Sequence, residues 1–81
     1  TPASVSLYPN PAHRELNVEF QHASGQRREF FLYDMQGILM TKGWLFQRKA
    51  TINLSTYKSG VYFLEIVDKG IVSIHRVIIN K

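Results

Sequence analysis

The chain has no cysteine, only three prolines and five glycines, and no long apolar run. Without thiols it can hold neither a disulfide framework nor a thiolate metal site, so its stability must rest on an apolar core. No stretch approaches the roughly 18 apolar residues of a membrane-spanning helix, and the first residues carry no basic-then-apolar secretory signal. With 81 residues there is no room for a second domain, because folding units run to about 100 residues or more. A core of this size leaves ~3–5 kcal/mol net, with little slack for a strained polar cleft. What is present is ordinary for a folded protein: 44% hydrophobic residues, with four Tyr, five Phe and one Trp as anchors, which argues against disorder. The abrupt opening Thr1-Pro2-Ala3-Ser4 leads us to expect a piece of a longer protein.

Ten Lys and Arg against six Asp and Glu give a formal charge of +4. The cations are spread along the chain, and only Arg27-Arg28 and Arg48-Lys49 are adjacent. Neither pair has interleaved aromatics on which bases would stack, so nucleic acid is not expected as a partner and a solvated basic surface is.

Chemistry-bearing patterns are missing as well. His13, His22 and His75 are not spaced with one another or with a carboxylate so as to put two metal ligands on one face. Asp34 and Asp68 read as turn residues, and Glu15, Glu19, Glu29 and Glu65 as solvent-facing strand residues. Ser24 and Ser55 have no base at a motif spacing, and Gly25, Gly37, Gly43, Gly60 and Gly70 are scattered singly rather than gathered into a phosphate-cradling loop. No catalytic residue, cofactor or metal site is expected.

Period two dominates instead. Leu16 to Phe20 alternates apolar and polar without a fault, which puts Leu16, Val18 and Phe20 on one face of a half-buried strand. Glu29 to Tyr33 and Ile38 to Lys42 flank Asp34-Met35-Gln36-Gly37, where Asp34 can accept from the following amides and Gly37 can take a positive φ. Gly60 to Val67 and Ile71 to Ile79 flank Asp68-Lys69-Gly70 as a second hairpin. Ser4 to Tyr8 and Thr51 to Leu54 add two short strands, and Ser55 to Gly60 is a polar link able to form one helical turn capped by Ser55. About seven short antiparallel strands with regular turn signals predict an all-β, Ig-like β-sandwich.

Two stretches depart from strict alternation. Trp44-Leu45-Phe46 predicts a strand crossing between sheets or a packed loop. Val77-Ile78-Ile79 predicts a last strand buried on both faces or covered by another element, and otherwise a site of pairing with another chain.

Several motifs occur together in order. Leu7-Tyr8-Pro9-Asn10-Pro11-Ala12 precedes Leu16-Asn17-Val18; Tyr33-Asp34 is followed by Gly37; Ile52-Asn53-Leu54-Ser55 leads to Gly60-Val61-Tyr62; and His75 to Lys81 closes the chain. In this the chain resembles the C-terminal sorting domains of the type IX secretion system of Bacteroidetes, over nearly its whole length. It departs from that family in carrying His75-Arg76 where adjacent lysines are common, and in the apolar character of Gly43 to Phe46.

The resemblance implies a secretion address, not an enzyme. Such domains end their full-length protein, pass through the periplasm with their cargo, and are recognised by an outer-membrane translocon for delivery to the cell surface or release. A surface sortase removes the domain in many members and joins the cargo to anionic lipopolysaccharide, so that the lipopolysaccharide would be met only indirectly. Recognition is expected on the last hairpin, at Gly60, Val61, Tyr62, Arg76, Val77, Ile78, Ile79 and Lys81, through edge-strand backbone groups and terminal charge. The same edge is open to self-association. Tyr8, Pro9, Asn10 and Pro11 are expected to form a rigid opening turn, with any cleavage before it, in or upstream of Thr1 to Ser4. The alternative function is an accessory Ig-like surface module that binds glycan or protein through Trp44, Phe46 and the basic pairs.

Overall fold

The computed structural model describes residues 5–21 and 27–81. His22, Ser24, Gly25 and the Thr1 to Ser4 segment lie outside the described residues. Seven antiparallel strands follow in order: β1 (Val5–Tyr8), β2 (Glu15–Phe20), β3 (Arg28–Tyr33), β4 (Leu39–Leu45), β5 (Lys49–Asn53), β6 (Gly60–Asp68) and β7 (Ile71–Ile79). They form a three-stranded sheet ordered β1-β2-β5 and a four-stranded sheet ordered β4-β3-β6-β7. The expected β-sandwich is the fold.

Alternation builds the core. Leu16, Val18 and Phe20 of β2 and Ile52 and Leu54 of the β5 segment meet Leu32, Leu45, Tyr62, Leu64, Ile66, Val77 and Ile79 from the larger sheet. Each fully buried aliphatic side chain in this layer stabilises the fold by about 1.5–3 kcal/mol relative to exposure, which offsets the ordering of a chain this short. The Tyr62 hydroxyl donates to the Lys58 carbonyl at 2.9 Å, so the one buried tyrosine is satisfied.

Trp44-Leu45-Phe46 neither crosses between sheets nor forms a packed loop. β4 simply continues to Leu45, which points into the core, while Trp44 and Phe46 point to solvent. The alternation is regular, and the apparent apolar run arises because the outward positions happen to be aromatic. Gly43, directly across from Phe30, leaves room for that ring: a Cβ there would lie 2.9 Å from Phe30 Cε2. A large aromatic thus fills the space of an edge-strand glycine.

The turns are built as their sequences suggest, with two corrections. Asp34 Oδ1 accepts from the Gln36 and Ile38 amides at 2.8 and 2.9 Å, and Gly37 takes a φ of +84°. The Ser55 link is a hydrogen-bonded turn and no helix, because the group that accepts the Ser55 amide is the Asn53 side chain, at 2.9 Å. Asp68 is the last residue of β6 and not only a turn former. Its carboxylate receives Arg28 Nε at 2.9 Å, while the Arg28 guanidinium lies 3.8 Å from the centroid of Phe20. Arg28 is therefore not part of a solvated basic pair but is 4% exposed. Parity requires this: Arg28 shares the inner face of β3 with Phe30 and Leu32, and Asp68 shares that of β6 with Leu64 and Ile66.

Candidate functional site

The end of β7 does not present the free edge expected of it. Asn10 lies against it, with Nδ2 donating to the Arg76 carbonyl at 3.2 Å and Oδ1 accepting from the Ile78 amide at 3.0 Å. Ala12 continues the seal, donating to the Ile78 carbonyl at 2.7 Å and accepting from the Asn80 amide at 2.8 Å. A primary amide offers one donor and one acceptor at the spacing of a peptide group, so Asn10 substitutes for one residue of a neighbouring strand. The opening turn and the last strand are thus one unit, although 66 residues or more separate the bonded groups in sequence.

The final dipeptide is fastened too. His13 Nδ1 donates to the Asn80 carbonyl. The Lys81 amide donates to Ser59 Oγ at 2.9 Å and Lys81 Nζ to the Ser55 carbonyl at 2.6 Å. His13, Arg14, Ser55 and Lys81 surround a cleft of about 430 Å³. The Lys81 ammonium at this end of the sandwich is held in place by a backbone acceptor.

The expected recognition residues divide by strand parity. Tyr62, Val77 and Ile79 are core, Gly60, Val61 and Ile78 are half-buried, and Arg76 and Lys81 are exposed. Val61, Arg76 and Ile78 share the outer face of the larger sheet with Phe63, Val67, Val72 and Ile74. That face is apolar over much of its area. Phe31 and Tyr33 stack with centroids 6.4 Å apart, and Tyr33, Met35, Phe63 and Ile74 line a groove of about 360 Å³. Across the groove the Tyr33 hydroxyl donates to Glu65 at 3.2 Å. The outer face of the smaller sheet is polar throughout, with Ser6, Tyr8, Glu15, Asn17, Glu19, Lys49, Thr51 and Asn53. A two-layer sandwich exposed equally on both sides would show two polar faces.

His75 points inward between the sheets, half-buried, with Nε2 3.0 Å from Ser73 Oγ. Its pKa is lowered by desolvation. Among the described residues no three His, Cys, Asp or Glu side chains cluster as metal ligands.

The chain has counterparts among known proteins in sequence family and in fold. The family described as "Secretion system C-terminal sorting domain" matches residues 6–80. The chain belongs to this family. The sorting domain is a signal of type IX secretion, and directs export through the outer membrane to the cell surface or the medium. The role that the family describes is that of a sorting signal. A chain of PorZ, an essential bacterial surface component of the type IX secretion system of Porphyromonas gingivalis, has a similar fold with a TM-score of 0.70 and 16% sequence identity. That likeness covers 95% of the sorting domain and 11% of the PorZ chain. None of the curated proteins matches the sorting domain.

Two features of the site escape a reading of local pattern, the Asn10 clamp and the Arg28–Asp68 pair. The second had a signal in strand parity. The first had only the placement of an asparagine between two prolines, which reads equally well as a turn.

Proposed function

We propose that this domain ends a larger secreted protein, travels with it through the periplasm, and is bound by the outer-membrane translocon of the type IX system at the end of β7. The observation that carries the reading is the fixed presentation of Arg76. Its side chain is exposed on the outer face while its carbonyl is held by Asn10. An exposed cation on an immobilised backbone loses little backbone entropy on binding and steers encounter with an acidic partner. Lys81 adds a second fixed charge, and Val61 and Ile78 supply apolar area beside Arg76. Tyr62, Val77 and Ile79 act through the core, by holding β6 and β7 together, and Tyr8 to Pro11 act through the clamp. A surface sortase that removes the domain would cut before the opening turn, and anionic lipopolysaccharide would meet the cargo only through that enzyme. Backbone groups of β7 that the clamp leaves open are available to a second copy of the chain. The glycan-binding alternative loses part of its platform, since Arg27 already covers Trp44 at 4.9 Å from the ring centroid.

The test is a fusion of the 81-residue chain to the C-terminus of a neutral reporter with an inner-membrane export signal. It is expressed in a host with the type IX system and in one without it. Surface delivery only in the first host is expected, and a reporter left in the periplasm of both would overturn the reading. In the same fusion Arg76→Glu is expected to stop delivery while the domain stays folded by circular dichroism. Normal delivery of that variant would remove recognition from this end of β7.

A further inference from the structure

β7 is an edge strand whose protection stops part-way. Lys69 and Gly70 take φ of 54° and 79°, forming a two-residue turn in which Asp68 faces Ile71. In such a hairpin the pair flanking the turn is hydrogen-bonded, and the bonding alternates from there. Ser73, His75, Val77 and Ile79 therefore point their backbone groups at β6. Val72, Ile74, Arg76 and Ile78 point theirs away from it. The outward bonds of Ile78 and of the Arg76 carbonyl to Asn10 and Ala12 agree with this parity. Among the described residues nothing covers the outward groups of Val72 and Ile74 or the Arg76 amide.

The open segment has none of the usual protections. Between the turn and Arg76 it carries no proline, no bulge and no lysine, the features by which edge strands commonly avoid pairing. Val72 is 50% and Ile74 65% exposed.

We infer that this segment pairs with the same segment of a second copy of the chain, antiparallel, about a two-fold axis at Ile74. The open row is matched to itself in length. With Ile74 opposite Ile74 of the other copy, Val72 lies opposite Arg76, and the next outward pair would be Gly70 opposite Ile78. At that point one chain leaves the sheet at its Lys69-Gly70 turn, and the other is closed by Asn10 and Ala12. Each copy's turn ends where its partner's clamp begins, so of the outward groups only the Val72 amide, opposite the Arg76 carbonyl that Asn10 holds, is left to water. The Ile74 pair exchanges both of its bonds, and each Arg76 amide donates to the Val72 carbonyl opposite. The Arg76 carbonyl stays with Asn10. On the outer face the two Ile74 side chains meet, and the apolar strips of the two larger sheets become continuous. The paired state occupies the backbone row next to Arg76, so self-pairing and docking of another strand there exclude each other.

The experiment is sedimentation equilibrium of the 81-residue chain from about 10 μM to about 1 mM, the range of a weak, small interface. NMR on a mixture of labelled and unlabelled chains accompanies it. The weight-average mass is expected to rise reversibly from 9.4 kDa toward twice that value. An intermolecular contact between the α-protons of Ser73 and His75 is expected, because those residues face each other as a non-hydrogen-bonded pair in the proposed register. Ile74→Lys sets like charges against each other on the axis, and Ile74→Pro removes the outward amide. Each is expected to weaken association at least tenfold, while Leu39→Lys on the opposite edge strand does not. A chain that stays monomeric at about 1 mM, or that associates without the Ser73–His75 contact, overturns the inference. If one Ile74 variant fails to fold by its amide spectrum, the other decides.

Discussion

Asn10 is the side chain on which the terminal architecture depends most directly. With Asn10→Ala the Ile78 amide and Arg76 carbonyl lose their protein partners but stay near water, so the net cost is about 1 kcal/mol and not a full desolvation penalty. Urea unfolding is expected to show that loss, and hydrogen exchange at the Ile78 amide is expected to quicken. Asn10→Asp separates the two roles. It keeps an acceptor for Ile78 but sets a carboxylate against the Arg76 carbonyl, so stability falls while the Ile78 amide stays protected. His75 contributes to the response to acid. Desolvation lowers its pKa in the folded chain, so the unfolded chain, titrating near 6.5, binds the proton more readily. The stability that follows from keeping the ring neutral is complete above about pH 6.5 and is lost as pH falls from there through the depressed folded value. Thermal melts of the wild type and His75→Gln are expected to differ in slope over that window, the variant being flatter. An unchanged slope would mean that the ring is solvated when the chain is folded.

At the scale of elements, the β6–β7 hairpin turns on a residue poorly suited to its place. Lys69 sits at a φ of 54°, a conformation that costs most L-residues about 1 kcal/mol and that asparagine and glycine adopt readily. Lys69→Asn is expected to raise the melting temperature by several degrees, as about 1 kcal/mol does in a domain this small. A value unchanged or lowered would show that the lysine side chain contributes elsewhere. The same hairpin shows which parts of this protein are legible in sequence. Period two and the turn residues locate all seven strands and both hairpins, because each depends on neighbours within a few positions. Applied consistently, parity also places Arg28 and Asp68 inward; treating Arg27-Arg28 as a charge pair hid what Phe30 and Leu32 imply about the residue two before them. The extension of β4 through Trp44 and Leu45 was obscured by composition, since aromatic residues occupied the outward positions. The clamp was not legible at all. It joins Asn10 to Arg76 and Ile78, and no local rule pairs a turn amide with a strand so distant in sequence. The motif resemblance placed both segments at the site without indicating that they touch.

For the whole molecule, the small stability margin decides how the terminal strand can be tested. Removing Ile78 to Lys81 is the natural probe of the recognition proposed for the end of β7, but those residues are also structure. Ile79 is 1% exposed in the core, Ile78 and Asn80 hold the opening turn through their backbone, and Lys81 ties down the Ser55 to Ser59 link. Loss of one buried isoleucine alone costs about 2–5 kcal/mol, against a net stability of ~3–5 kcal/mol for a disulfide-free chain of this length. The truncated chain is therefore expected to be unfolded at 25 °C, with collapsed amide dispersion and no cooperative melt. Its failure to reach the cell surface would then follow from lost folding as readily as from lost recognition. Arg76→Glu and Lys81→Glu change the exposed charge and spare Val77 and Ile79, so a folded but undelivered domain carrying them would locate recognition at this end of the sandwich. A truncated chain that keeps its native amide spectrum would show instead that the clamp and Ile79 are dispensable for folding, and would restore the deletion as a clean test of recognition.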